Sequence, residues 1–116
     1  MANSILSPGD IIHVVTRRLF ADDLRRHFAG TVKHASDHLV RAVGYTFVFN
    51  PNACEYRKRP ELRTRIFSLI DAGNIFNILP LETNVDALEY KIINERLVVT
   101  DNGSTALDIN EFGANY

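Results

Sequence analysis

Apolar residues recur along most of this chain with a period of two, the repeat of a strand that buries one face. Across 39–49, Leu39, Arg41, Val43, Tyr45, Phe47 and Phe49 fall on one side of an extended segment, and Val40, Ala42, Gly44, Thr46 and Val48 on the other. Asn50-Pro51-Asn52 ends the run, since Asn tolerates left-handed backbone and Pro fixes its own φ. Upstream, Phe28, Gly30 and Val32 alternate with Ala29, Thr31 and Lys33, and Ser36-Asp37-His38 separates the two runs. The pattern predicts a hairpin over 27–49.

The C-terminal third repeats the signal. Leu97-Val98-Val99-Thr100 and Thr105-Ala106-Leu107-Asp108-Ile109 flank Asp101-Asn102-Gly103-Ser104, and Asn-Gly suits the paired positive φ angles of a type I′ hairpin turn. A second reversal at Asn94-Glu95 adds the segment from Leu88 to Ile93 and makes a three-stranded meander. Between the hairpins, Arg65 to Leu69 and Ile75 to Leu79 read as short strands around Asp71-Ala72-Gly73-Asn74, the second stopped by Pro80.

The N-terminal segment carries two patterns. Ser7-Pro8-Gly9-Asp10 resembles a helix start, and Ile11, Val14, Val15 and Leu19 would line one helix face. Ile11-Ile12-His13-Val14-Val15-Thr16 is dense in β-branched residues, however, which lose rotamer freedom in helices and pack well on a pleated surface, and this favours a strand. Phe20, Leu24 and Phe28, four apart, leave room for one short helix. The expected fold is mainly β: a small antiparallel barrel or sandwich of about seven short strands with at most one or two short helices, the alternative being α+β with an N-terminal helix. Residues 1–116 read as a single domain with flexible ends at 1–8 and 113–116.

Composition narrows the class. Apolar residues at 46% and charged residues at 23% sit near globular averages, so neither disorder nor a membrane class is suggested. The single Cys54 excludes an internal disulfide and fits a reducing compartment. Met1 to Asp10 lack the pattern of a signal peptide, and no apolar run approaches the ~20 residues of a membrane span, so the expected location is cytoplasmic. Asn102-Gly103-Ser104 then matches a glycosylation sequon only because it is a turn sequence.

Charge changes the picture. The formal net charge of -1 hides two opposed halves: residues 1–65 hold 11 Lys+Arg against 6 Asp+Glu, and residues 66–116 hold 2 against 8. The positive half is concentrated in Arg57-Lys58-Arg59-Pro60-Glu61-Leu62-Arg63-Thr64-Arg65, with Tyr56 beside it. Guanidinium groups donate in a planar fork that suits phosphate, and aromatic faces beside a basic groove hold single-stranded nucleic acid on small β domains. Arg57, Lys58, Arg59, Arg63, Arg65 and Tyr56 are therefore the candidate nucleic-acid or anion-binding residues. The competing expectation is that these cations pair with Glu55, Glu61 and the acidic C-terminal strands.

No other constellation selects a chemistry. His13, His27, His34 and His38 lack carboxylate or thiolate partners at ligand spacing, so no metal is expected and surface positions are the simpler reading. Cys54 reads as a small apolar filler, the aspartates show no pairing, and the glycines occur singly, so no catalytic residue or cofactor is assigned. Three functions remain. The first is a non-enzymatic binding or assembly module whose opposed charges serve association with a second copy. The second is single-stranded nucleic-acid binding through 57–65. The third is a small-ligand barrel with Phe47, Phe67, Phe76 and Tyr90 lining its pocket.

Overall fold

The structure is a computed structural model, and it describes residues 5–18, 20, 22–71 and 73–109. The expected mainly β, antiparallel fold is present. Strands β1 (Ile11–Thr16), β2 (Arg26–Ala35), β3 (Leu39–Asn50), β4 (Glu55–Lys58), β5 (Arg63–Ser68) and β6 (Asn74–Leu79) form one sheet, and β7 (Glu89–Ile93), β8 (Arg96–Thr100) and β9 (Ala106–Asp108) form a second. One 3-10 turn, Val85–Ala87, leads into β7; no α-helix occurs among the described residues, and none is long and apolar enough to cross a membrane.

Residues 11–16 are a strand, and the helical alternative falls away. β1 lies inside the sheet between β2 and β6, with Ile11, Ile12, His13 and Val14 all buried, so both parities are apolar and the periodicity blurs. The short helix expected around Phe20 and Leu24 is a turn instead: the Phe20 N–H donates to Asp23 Oδ2, and the Asp23 N–H donates to the Phe20 carbonyl. Phe28 belongs to β2. Leu19, residues 1–4 and residues 113–116 lie outside the described residues, whereas Leu6 is buried in a core.

The large sheet runs β6-β1-β2-β3, and two strands share the outer edge of β3. β4 pairs with Phe47–Asn50 and β5 with Leu39–Gly44. Gly30 and Gly44 face each other across β2 and β3, and a Cβ on either would overlap the partner strand's backbone, so only glycine admits this close approach. The sheet curls accordingly. β5 and β6 sit at opposite edges, yet the Phe67 and Phe76 rings meet edge-on at 6.0 Å and Phe67 lies 5.3 Å from Phe28. No ladder joins β5 to β6, so the expected barrel is left open along that seam.

Each face of the curled sheet has its own core. The concave side gathers Ile12, Val14, Phe28, Val32, Val40 and Ala42 with Leu6, Phe67 and Phe76. The convex side packs Ile11, Ala29, Phe47 and Leu79 against Leu88, Leu97, Val99 and Ile109 of the small sheet and its flanks. Phe47 and Tyr90 therefore belong to one core and Phe67 and Phe76 to the other, and the four do not line a single pocket as expected.

The meander forms as expected, with one turn built differently. Asn94 and Glu95 take φ of 52° and 65°, a two-residue type I′ reversal pairing Ile93 with Arg96. At Asn102-Gly103 only Asn102 has positive φ, and a longer loop replaces the expected tight turn. Asp101 organises that loop: its carboxylate accepts N–H bonds from Gly103 at 2.8 Å, Thr105 at 3.1 Å and Asn84 at 2.9 Å. These bonds hold the Asp101 carboxyl below its usual pKa, the one from Asn84 contributing most.

Candidate functional site

The register of β3 divides the basic segment between the two faces. Phe47 pairs with Lys58, Phe49 with Tyr56 and Val48 with Arg57, so Tyr56 and Lys58 join the convex side while Arg57 points the other way. Gly44 pairs with Arg63 and Ala42 with Arg65, placing these two arginines on the concave side. The six candidate residues thus do not form one surface.

On the convex side, Tyr56 is part of the packing. Its ring stacks 4.5 Å from His27 and 4.7 Å from Tyr90, and meets Phe49 edge-on at 5.2 Å. Lys58 Nζ lies 4.2 Å over the Tyr45 ring and donates to the Asp86 carbonyl at 2.6 Å. Burial lowers the Lys58 pKa, opposed by the charges of Asp86 and Glu89. Tyr45 Oη donates to Asp86 Oδ1 at 2.7 Å, and that bond raises its pKa. The acidic end of the chain therefore folds against the basic segment at Lys58. Arg57 pairs locally with Glu55 at 3.1 Å.

The other three cations remain together. Arg59, Arg63 and Arg65 line a pocket of about 230 Å³ with Arg26, Leu24, Thr46, Val48 and Glu61. β2 supplies Arg26, because Arg26 pairs with Val48 across from β3. The Arg59 N–H donates to the Thr46 carbonyl at 2.8 Å, which holds the chain leaving β4 against the same strand. Among the described residues no ion pair involves Arg26, Arg59, Arg63 or Arg65, and Glu61 is the only carboxylate in the lining. Four exposed guanidinium groups at one mouth repel each other and present many N–H donors, an arrangement that a phosphate-like anion relieves. Arg26 was invisible in the sequence because only the β2–β3–β5 register brings it here.

The structure also corrects the reading of two histidines as surface residues. His13 and His27 are 0% and 5% exposed, beneath the small sheet. One arrangement of neutral imidazoles satisfies every contact: Asn77 Nδ2–H donates to His13 Nδ1 at 3.5 Å, and His13 Nε2–H to Tyr90 Oη at 2.8 Å. Tyr90 O–H then donates to His27 Nδ1 at 2.6 Å, and His27 Nε2–H to Tyr56 Oη at 3.3 Å. The chain links β6, β1, β7, β2 and β4. Burial, then the nearby His27, lowers the His13 pKa from the ordinary 6.5 to about 3; burial, then Arg25, lowers His27 to about 4. Burial likewise raises Tyr90 well above its usual value. A histidine inside Ile-Ile-His-Val-Val, apolar on both parities, was the available signal of burial.

The remaining candidates are solvated or occupied with local structure. His34, His38 and Cys54 are exposed, and among the described residues no group of three or more His, Cys, Asp or Glu could hold a metal. Asp10, Asp23 and Asp71 each accept a backbone N–H within their own turns, from Ser7, Phe20 and Gly73. Compared with protein-family models, with curated proteins and with solved structures, the chain finds no match in any of the three.

Proposed function

We propose that this chain is a binding module that holds a phosphate-bearing polyanion at the mouth formed by Arg26, Arg59, Arg63 and Arg65. One observation carries the reading: four arginines from different strands and loops converge on one pocket with no ion pair among the described residues. The contacts are to phosphate. Among the described residues no aromatic ring lines the mouth, and Tyr56, the residue expected to stack bases, lies against His27 and Tyr90 on the far side of the sheet. A single-stranded nucleic acid would therefore be gripped by its backbone, without the base stacking usual on small β domains.

The test is anisotropy titration of fluorescently labelled inorganic polyphosphate at low salt. Saturable binding is expected, weakened at least about tenfold by Arg63→Ala with Arg65→Ala, since charged hydrogen bonds contribute about 1.5–3 kcal/mol each. Arg57→Ala leaves it unchanged, because Arg57 stands outside the mouth and pairs with Glu55. Absence of binding by the unaltered chain refutes the proposal.

A further inference from the structure

We infer that two copies of this chain associate through β6, pairing antiparallel with β6 of the second copy about a two-fold axis at Asn77. The free strand edges differ in how they are protected. The outer edge of the large sheet carries Arg57, Arg63 and Arg65, β7 carries Glu89 and Lys91, and β9 has only three residues, its Asp108 paired with Arg96. Such charges and short lengths are what keep edges from pairing. β6 has none of these devices. Among the described residues it pairs with β1 on one side only, and its six residues, Asn74-Ile75-Phe76-Asn77-Ile78-Leu79, include no charge, proline or glycine. Its pairing with β1 contains no bulge, and Ile75 and Ile78 are 49% and 57% exposed. A neutral strand of this composition left bare templates indiscriminate pairing, so a specific cover is required.

The strand matches itself. A two-fold axis perpendicular to the sheet at Asn77 keeps each side chain on its own face, as the pleat demands. Asn77 then stands opposite its own copy, Ile75 opposite Leu79 and Phe76 opposite Ile78, with Asn74 opposite Pro80 at the two ends, so the five central positions pair amide with amide and apolar with apolar. Charge complementarity supports the same axis. The Arg17 N–H bonds to the Gly73 carbonyl at 2.7 Å at the start of β6, while Glu82 follows its end, so antiparallel pairing brings Arg17 of each copy toward Glu82 of the other. A groove of about 410 Å³ lined by Ile5, Leu6, Leu69, Phe76 and Ile78 runs beside the strand on the same face and is covered when the second copy pairs there.

Sedimentation equilibrium of the full chain, from micromolar to near-millimolar concentration at low and high salt, tests the interface. A species of twice 13.1 kDa is expected at both salts. Ile75→Lys and Ile78→Lys, both at exposed positions, give monomers with unchanged circular dichroism, while Arg63→Ala with Arg65→Ala leaves the dimer intact and so separates this interface from the arginine mouth. Hydrogen exchange of the unaltered chain provides a mutation-free readout: amides within 74–79 gain protection with rising concentration. A chain monomeric throughout, a dimer that survives both lysine substitutions, or exchange at 74–79 independent of concentration would overturn the inference.

Discussion

Lowering the pH should loosen this fold well before general acid denaturation, through the two buried histidines. In the native state both imidazoles are neutral and each spends its one N–H in the chain through Tyr90; a second proton on His13 would set N–H against the Asn77 amide, and one on His27 would set N–H against the Tyr90 hydroxyl. The folded pKa values of about 3 and about 4 lie below the ordinary 6.5, so the native state binds fewer protons than the unfolded chain in between. Stability is then fully present above pH 6.5 and is lost as pH falls toward the folded values. Each histidine removes about 1.4 kcal/mol per pH unit, hence about 2–3 kcal/mol by pH 4.5, and the pair about 5 kcal/mol. Against a typical total of about 5–15 kcal/mol, that is enough to bring acid unfolding into the mildly acidic range. Urea titrations across this range measure the slope of unfolding free energy against pH. His27→Gln, whose amide can still meet Tyr90, lowers stability at neutral pH but halves the slope below pH 6; carboxylates titrate alike in both proteins and cancel in the difference. A slope unchanged by His27→Gln and by His13→Gln would refute the account of the chain.

Four other substitutions probe the backbone. Gly44→Ala places a Cβ against the Ala29 carbonyl and Gly30 and should cost about 2–3 kcal/mol in urea unfolding, whereas Gly103→Ala, whose nearest contact is 3.4 Å, should stay within about 0.5 kcal/mol. Glu95→Gly relieves a non-glycine residue at φ 65° in the type I′ turn and should stabilise by about 0.5–1 kcal/mol, seen as a raised thermal midpoint. Asp101→Ala removes the acceptor for Asn84, Gly103 and Thr105, so their amides should exchange faster; because the Asp101 pKa is depressed, the stability it confers is present at neutral pH and fades as pH falls through its folded value.

What could be read from the chain followed local rules. Alternation placed the 27–49 hairpin and the meander, because period two survives wherever one face is more buried than the other. It blurred at Ile11–Thr16, where β1 feeds two cores at once. Composition at Asn102-Gly103 pointed to a tight turn that the Asp101 and Thr100 side chains override by capturing the loop's N–H groups. The basic segment was legible as a run but not as a site, since the parity of β4 turns Tyr56 and Lys58 away from Arg63 and Arg65, and only long-range register adds Arg26. His13 and His27 meet because both lie on the convex parity of neighbouring strands and Tyr90 arrives from 63 residues beyond His27, a coincidence no spacing rule contains.

Whether the arginine mouth grips phosphate without reading bases is tested most directly by comparing an abasic oligodeoxynucleotide with a base-bearing one of equal length across a salt series. Four phosphate contacts predict a slope of log affinity against log salt of about -2.8, falling to about -1.4 for Arg63→Ala with Arg65→Ala, with the two oligonucleotides bound equally. A base-bearing strand bound much more tightly than the abasic one, or a slope untouched by removal of the two arginines, would contradict the account.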